Sequence, residues 1–361
     1  MTIIFLGCMI LAIVTLQNYL YRRFWDRGLV IKIKFSAKEA FEGESLYLTE
    51  ELTNNKLLPL PWLFLSFRMS EHLVENESQN ELFSLMMHQY VSRQLSFVCG
   101  KRGVYSFRNV NLTASNLLHT EQFKKNIKIV NQLVVFPKLL ESPELGIINK
   151  QLDTAILSTQ LINPDPFEFR GIREYQSTDP VRSINFKATA VAGELMVNIH
   201  APTSSKRLNI ILNLEPYNTY PNQELYEQAI RLTASIAGRY INENVNVAFA
   251  TNGRDITSRE EISLGAGGST SHLYNVYESL ARIDLTQSVT PISEYIDKIL
   301  DHEAVYLVIS TYHQAGLLDA IERLRGSGVS AFLVVPVFNS MKVKLEPEYA
   351  SIWEAGNDCQ I

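Results

Sequence analysis

The first residues of the chain constrain its fold most. From Ile3 to Leu16 the sequence carries no charged side chain, and Arg22 and Arg23 follow shortly after. About 19 residues of this kind can cross the hydrocarbon core of a bilayer as a helix. A cleaved signal peptide would have Lys or Arg before the apolar run and small residues at a cleavage site after it, and neither is present. We therefore predict a membrane anchor over residues 1–27.

The charges around this anchor predict its orientation. Five basic residues follow the apolar run and none precedes it: Arg22, Arg23, Arg27, Lys32 and Lys34. The positive-inside rule then predicts a single-pass protein of the cell membrane with a cytoplasmic C-terminal body. Three cysteines, Cys8, Cys99 and Cys359, lie too far apart in sequence to form a zinc motif, which agrees with a reducing compartment. The net charge of -5 gives no basic face for nucleic acid.

Residues 28–140 have the pattern of a β-domain. Short, partly alternating runs rich in β-branched and aromatic residues, such as LVIKIKF and WLFLSF, are separated by turn sequences. This spacing predicts an antiparallel β-sandwich-like domain. The segment Leu82–Gln89 fits either a short helix or an insertion.

Residues 141–206 are predicted to connect two domains. Pro143, Pro164 and Pro166 make residues 141–170 read as irregular chain. Asp179 is a good N-cap and Gly193 a good helix stop, so we expect a helix over 180–192 and a strand over 194–199.

From residue 207 to 361 apolar strand runs alternate with helical segments. RLNIILNL, VNVAFAT, AVYLVIST and VSAFLVVP are nearly continuous apolar runs, as expected when helices cover both faces of a mostly parallel sheet. NQELYEQAIRLTASIAGRYINEN, HLYNVYESLARI, PISEYIDKILDH and AGLLDAIERLRG read as helices. We predict a doubly wound α/β domain here.

One cluster of polar residues precedes that domain. Arg173, Tyr175, Asp179 and Arg182 recur at spacings that let Asp179 cap a helix and meet Arg182 one turn later. The cluster is interpreted either as an ion-paired brace or as a site that holds an anionic ligand. No general base, nucleophile or metal-ligand set accompanies it, so enzyme chemistry is not predicted.

The loop Gly265–Ser271 is the other candidate. Its backbone N–H groups could hold an anion at the start of the following helix, or its serines and threonine could simply cap that helix. The sequence GGSTS misses the last glycine of a nucleophile elbow, and no phosphate-binding GxxxxGK[ST] occurs anywhere in the chain.

The run from Gly171 to Val197 resembles the signature of the domain-of-unknown-function 58 family, roughly R-x-Y-x-x-G-D-x-x-R-x-I-x-W-x-x-x-A-R. Six positions match: Arg173, Tyr175, Asp179, Arg182, Ile184 and Ala190. Three differ, because Thr178, Phe186 and Val191 replace the glycine, the tryptophan and the last arginine. Asn185 and Lys187 lie within the same run and complete our set of candidate interaction residues. The element Arg102-Gly103-Val104-Tyr105 adds to the resemblance.

The resemblance implies a von Willebrand A-like domain and a MoxR-type AAA+ ATPase as protein partner. Domains of that fold bind a divalent metal through Asp-x-Ser-x-Ser after the first strand, whereas this chain has Asn213, Glu215 and Tyr217 there. Thr270 is aligned with a further metal-site threonine of the family. We therefore expect a degenerate site with no tight metal, and no cofactor.

Together these features predict a membrane-anchored scaffold or adaptor that is not an enzyme and that acts in the assembly or maturation of other proteins. The alternative is an anion- or small-ligand-binding protein, or an enzyme, that uses Arg173, Tyr175, Asp179 and Arg182.

Overall fold

A computed structural model gives the fold of the chain in two compact units, Met1–Lys138 and Leu139–Ile361. It describes all residues except 1, 70–72, 74–77, 142–144, 163, 178, 203–205, 217–221, 293–295, 297–303, 339–347 and 356–361. The prediction of an N-terminal apolar helix followed by β and then α/β structure is confirmed.

The N-terminal helix α1 spans Thr2–Phe24. Its segment Ile3–Phe24 is long and apolar enough to cross a membrane, and its most hydrophobic window is not buried against the rest of the protein. Tyr21, in its last turn, and Trp25, just after it, are buried and stack on Phe123 of the first unit.

The rest of the first unit consists of eight strands. They are β1 (Leu29–Phe35), β2 (Glu39–Phe41), β3 (Ser45–Asn54), β4 (Leu60–Arg68), β5 (Ser78–Leu85), β6 (Tyr90–Val98), β7 (Gly103–Ser115) and β8 (Gln122–Phe136). One sheet has the order β1-β3-β6 and the other β2-β8-β7-β4-β5. All pairs are antiparallel except β2 with β8. Alternate residues of both sheets, such as Leu48, Leu65 and Leu112, share one hydrophobic core.

The segment Leu82–Gln89 is neither a helix nor an insertion. Leu82–Leu85 completes β5, and residues 86–89 turn the chain into β6. His88 has a positive φ of 48°, which a tight connection of this kind requires.

The second unit opens with elements that the prolines concealed. Helix α2 (Gly146–Ile162) lies between Pro143 and Pro164, so the prediction of irregular chain over 141–170 is wrong. Strand β9 (Pro164–Glu174) pairs antiparallel with β10 (Met196–Pro202) in a separate two-stranded sheet. Between them the predicted helix over 180–192 is shorter: a 3-10 turn at Val181–Ser183 precedes helix α3 (Phe186–Ala192).

The remaining elements alternate between strand and helix. They are β11 (Arg207–Asn213), α4 (Gln223–Asn242), β12 (Asn246–Asp255), β13 (Glu261–Gly267), α5 (Thr270–Ala281), β14 (Ile283–Asp284), β15 (Val305–Ser310), α6 (Ala315–Gly326), β16 (Ala331–Val337) and β17 (Ala350–Glu354). The predicted helix PISEYIDKILDH lies largely outside the described residues.

These strands form one sheet with the order β13-β12-β11-β15-β16-β17. β11, β12, β15, β16 and β17 run parallel, and β13 closes one edge antiparallel. Neighbouring residues Ile210 and Ile211 point to opposite faces and are both fully buried, so both faces of the sheet are covered. Helix α6 packs on the face of Ile211 and Val308. The strand order reverses beside β11, and polar side chains at the carboxyl ends of β11 and β15 are therefore the natural place to look for a site.

Candidate functional site

The predicted signature residues lie on one small substructure, which we call the signature element (residues 171–198). It consists of the paired ends of β9 and β10 and, between them, the 3-10 turn and α3. The pairing of Glu174 with Met196 closes the base of the element. The two strands therefore bring Arg173 opposite Val197, although these residues are 24 positions apart in the sequence.

Arg173 and Asp179 form the ionic centre of the signature element. The guanidinium donates from NH1 to Asp179 Oδ2 and from NH2 to Asp179 Oδ1, each at 2.6 Å. The N–H of Gln176 also donates to Oδ2, at 2.9 Å. The bond from Arg173, followed by the bond from Gln176, lowers the pKa of Asp179 below the ordinary aspartate value. This two-pronged geometry is the one Arg and carboxylate groups favour, and it uses both of the carboxylate oxygens.

Asn185, and not Asp179, caps helix α3. The Oδ1 atom of Asn185 accepts the N–H of Ala188 at 2.9 Å, and its Nδ2 donates to Asn198 Oδ1 at 2.7 Å. Pro180 and Ile184 both have extended backbones, so a continuous helix cannot start at Asp179. The prediction that Asp179 caps the helix and meets Arg182 is therefore wrong, because the carboxylate of Asp179 turns back to Arg173.

The other signature residues are less tightly held. The backbone N–H of Tyr175 donates to the carbonyl of Leu195 at 2.8 Å, and its side chain is half-buried. Arg182 and Lys187 are exposed. The glycine position of the family signature, Thr178, lies outside the described residues.

Several apolar side chains of the signature element are exposed. Phe186 is 75% exposed and Val191 86% exposed, and Val181 and Leu195 are exposed as well. None of the seven residues of α3 is buried. The element thus presents apolar groups to its surroundings beside the exposed side chains of Arg182 and Lys187.

The carboxyl ends of the central strands carry a different kind of cluster. Asn213 and Ser310 are the last residues of β11 and β15, Asn252 lies in the second half of β12, and all three are fully buried. Asn213 Nδ2 donates to Ser310 Oγ at 2.9 Å, and Asn213 Oδ1 accepts Asn252 Nδ2 at 2.7 Å and the N–H of Glu215 at 3.0 Å. Both acceptor positions of the Asn213 oxygen are therefore occupied.

The other two side chains of the cluster also make hydrogen bonds to the backbone. Asn252 Oδ1 accepts the N–H of Leu214 at 2.9 Å, and Ser310 Oγ donates to the carbonyl of Tyr312 at 2.6 Å. Every one of these side chains is uncharged. The strand ends are thus joined by a neutral hydrogen-bond network, which we call the amide network (Asn213, Asn252 and Ser310).

The four residues predicted to mark a degenerate metal site do not all meet. Glu215 lies next to the amide network, and its Oε2 accepts the N–H of Ile292 at 3.2 Å. Thr270 lies near the amino ends of the parallel strands, opposite to the amide network. Strand β13 ends at Gly267, which pairs with Val247 near the start of β12. The alignment of Thr270 with the metal-site threonine is therefore wrong. Tyr217 lies outside the described residues.

The loop over Gly265–Ser271 is a strand end followed by a helix cap. Gly265 and Gly267 belong to β13, and Ser269 Oγ accepts the N–H of His272 at 3.1 Å as the N-cap of α5. A Cβ on Gly267 would come within 2.6 Å of the His272 ring, so this glycine allows close packing. This arrangement agrees with the capping interpretation of the loop.

A cavity of about 370 Å³ lies beside the amide network. Glu215, Tyr226, Asp284 and Pro291 are among its lining residues. Asp284 is held by Thr286 and Gln287. Within the described part of the chain no group of three His, Cys, Asp or Glu side chains is placed to hold a metal ion.

Sequence reasoning identified Asn213 but missed its partners. Asn252 and Ser310 both stand at the end of an apolar strand run, where a polar residue breaks the pattern. That break, repeated at the ends of three neighbouring strands, is the signal that could have found them.

Comparison with known proteins identifies a family. Residues 171–345 match the family described as "Protein of unknown function DUF58", a range that contains both the signature element and the amide network. No curated protein matches the sequence.

Three similar solved structures show how weak the structural likeness is. The CARDB domain of a protein from Pyrococcus furiosus is 12% identical, with 30% of this chain and 91% of that chain covered and a TM-score of 0.22. The C-terminal domain of Wzt is 10% identical (31% and 75% covered, TM-score 0.24). Spo0M, a sporulation control protein from Bacillus subtilis, is also 10% identical (41% and 58% covered, TM-score 0.18). Scores this low support no argument about fold or function.

Proposed function

We propose that this protein, whose residues 171–345 belong to the DUF58 family, is a membrane-anchored adaptor that docks a protein partner on its signature element. Helix α1 fixes the chain at the membrane, and the body lies on the cytoplasmic side. A MoxR-type AAA+ ATPase is the proposed partner, with a role in the assembly or maturation of other proteins. We also propose that the second unit contains a von Willebrand A-like domain.

The exposed apolar surface of the signature element carries the proposal. Phe186, Val191 and Val181 stand on an element in which Arg173 binds Asp179 and Asn185 binds Asn198. Large apolar side chains exposed on the surface of a soluble domain mark candidate protein contacts, and aromatic side chains dominate the binding energy of such contacts. Arg182 and Lys187 lie on the same element and would form its polar rim.

The alternative, ligand binding or catalysis by the polar cluster, has weaker support. An anion would have to displace Asp179 from both terminal nitrogens of Arg173. The cavity near Glu215 lies at the carboxyl ends of the central strands and is lined by none of the four cluster residues. Arg173 and Asp179 are therefore better explained as an ion-paired brace that shapes the docking surface.

Affinity purification of the full-length chain from membranes tests this proposal. We expect an AAA+ ATPase to be recovered with the unaltered chain. The double variant Phe186→Ser/Val191→Ser should recover about tenfold less, because the two side chains together are expected to contribute about 1.4 kcal/mol to binding.

The matched control is Ile256→Ser, which replaces an exposed apolar residue on a turn of the same unit outside the signature element. It should leave recovery unchanged. Purification of the unaltered chain without any ATPase, or equal recovery with the double variant, would contradict the proposal.

A further inference from the structure

Three loops of the first unit gather where α1 meets the β-domain. They connect β3 to β4 (residues 55–59), β5 to β6 (86–89) and β7 to β8 (116–121). The pairing of Leu29 with Asn54, of Thr53 with Tyr90 and of Trp62 with Ser115 places all three at the same end of the sheets. This is the end at which the chain leaves α1 and enters β1.

Two of these loops bind α1 directly. Tyr21 Oη donates to the carbonyl of Pro59 at 2.6 Å, and Asn116 Nδ2 donates to Asn18 Oδ1 at 2.7 Å. Arg22 donates from Nε and NH2 to the two carboxylate oxygens of Glu121, at 2.9 and 2.7 Å. The loops therefore lie along the last two turns of the helix.

The third loop is joined to the first by hydrogen bonds. The N–H of His88 donates to the carbonyl of Lys56 at 3.2 Å, and Asn54 Nδ2 donates to the carbonyls of Leu58 and Met86. All three loops thus form one surface around the C-terminal end of α1.

The tips of these loops are apolar and exposed. Leu57 is 72% exposed, Met87 59% and Leu118 55%, and Met86 and Leu117 are exposed beside them. We call these five residues the collar: Leu57, Met86, Met87, Leu117 and Leu118. Loop tips of soluble proteins are usually polar, so five apolar residues at three tips call for a partner.

We propose that the collar enters the interface of the same bilayer that α1 spans. Asn18, which binds the loop of Leu117 and Leu118, lies one turn before Arg22, about 6 Å further into the apolar span Ile3–Phe24. A loop tethered at that level reaches the boundary between headgroups and acyl chains. Exposed leucine and methionine side chains are stabilised there, because they leave water.

Charged residues around the collar fit the headgroup region. Arg23 and Lys124 are exposed near the same end of the unit, where anionic lipids would attract them. This proposal rests on the membrane anchoring in the proposed function and adds a second contact, through which the β-domain is seated on the lipid surface.

Spin labels on single cysteines test the collar in the full-length chain. The background carries Cys8→Ser and Cys359→Ser and keeps the buried Cys99. Leu57→Cys, Met87→Cys and Leu118→Cys are labelled, and the chain is placed in vesicles of phosphatidylcholine and phosphatidylglycerol. Accessibility to molecular oxygen, which concentrates in lipid, is compared with accessibility to a water-soluble nickel chelate.

Two further positions serve as controls. Leu11→Cys lies within α1 and reports on the anchor itself. Val98→Cys is 51% exposed and equally apolar, but it pairs with Ser45, nine residues along β3 from Asn54 and so about 30 Å from the collar end. We expect a several-fold higher ratio of oxygen to nickel accessibility at the three collar positions than at Val98.

Each outcome is decisive. Collar positions that match Val98 while Leu11 is in lipid would overturn the collar and leave the anchor standing. Collar positions protected from both reagents would mean burial by protein and would also overturn it. A Leu11 position open to nickel would remove the anchor and the collar together.

Discussion

The amide network and the signature element use the same residue type in opposite ways. Asn213 is fully buried and connects three strands through neutral hydrogen bonds. Asn185 lies on the less buried signature element and caps helix α3. The signature element also carries charge and exposed apolar groups, of which the amide network has none. The polar side chains at the strand ends thus satisfy one another within the core, whereas those of the less buried element leave charged and apolar groups exposed.

Replacing the two asparagines is the strongest test of this contrast. Asn213→Ala should lower the free energy of unfolding of the second unit by about 2–4 kcal/mol, because Asn252, Ser310 and the N–H of Glu215 each lose a buried partner. Asn185→Ala should cost about 1 kcal/mol, since only a helix cap and one part-buried bond are lost. Hydrogen exchange of β11 and β15 measures the first and exchange of α3 the second. Equal effects would break the contrast.

A substitution at Gly193 tests how much the C-cap of α3 contributes to the stability of the signature element. It adopts a left-handed conformation with φ of 80° as the C-cap of α3, and its N–H donates to the carbonyl of Thr189. Gly193→Ala should therefore destabilise the signature element by about 1 kcal/mol. Exchange should rise in α3 and β10 and stay unchanged in β11. Gly171→Ala is the control, because a Cβ there meets nothing within 4 Å and its φ is not positive.

Lowering the pH should destabilise the signature element but not the amide network. The pKa of Asp179 is lowered in the folded element by its bond to Arg173, so this pair stabilises the element above the ordinary aspartate pKa. That contribution is lost as pH falls through the lowered value. Hydrogen exchange in β9 and β10, corrected for the intrinsic pH dependence of exchange, should rise in this acid range. Asp179→Asn should show no such transition, and a transition of equal size in that variant would assign it to another group.

Magnesium is expected to have the smallest effect. Because the Oδ1 of Asn213 already accepts two hydrogen bonds, millimolar MgCl₂ should change the stability of the second unit by less than about 0.5 kcal/mol. Thermal unfolding with and without MgCl₂, against a matched concentration of NaCl, measures this. Stoichiometric metal with an octahedral oxygen shell at Asn213 and Glu215 would contradict the prediction.

The sequence predicted those parts of the fold that depend on burial patterns. The continuous apolar runs after Arg207 arise because neighbours such as Ile210 and Ile211 are both buried, on opposite faces of the sheet. Helix α2 was missed because Pro143 and Pro164 suggest irregular chain, yet both fall outside the helix. Strand β17 is only five residues long and separated from β16, which left little pattern to recognise.

The candidate site was less predictable, because it depends on which partner a polar side chain chooses. Asp179 and Asn185 are both suitable helix caps, and only the position of Arg173 on the neighbouring strand decides between them. Thr270 was misplaced for a similar reason. The glycines before it suggest a loop. Gly265 and Gly267 instead continue β13, which carries the chain to the amino ends of the parallel strands.

The neutrality of the amide network has a consequence for regulation. Asn213, Asn252 and Ser310 neither gain nor lose a proton in the physiological range, and their bonds are little screened by salt because they are buried. A change in cellular pH or ionic strength therefore does not directly alter the hydrogen bonds among these three side chains. Movement of a strand end, or of the segment that carries Glu215, alters these bonds instead, because the N–H of Glu215 donates to Asn213.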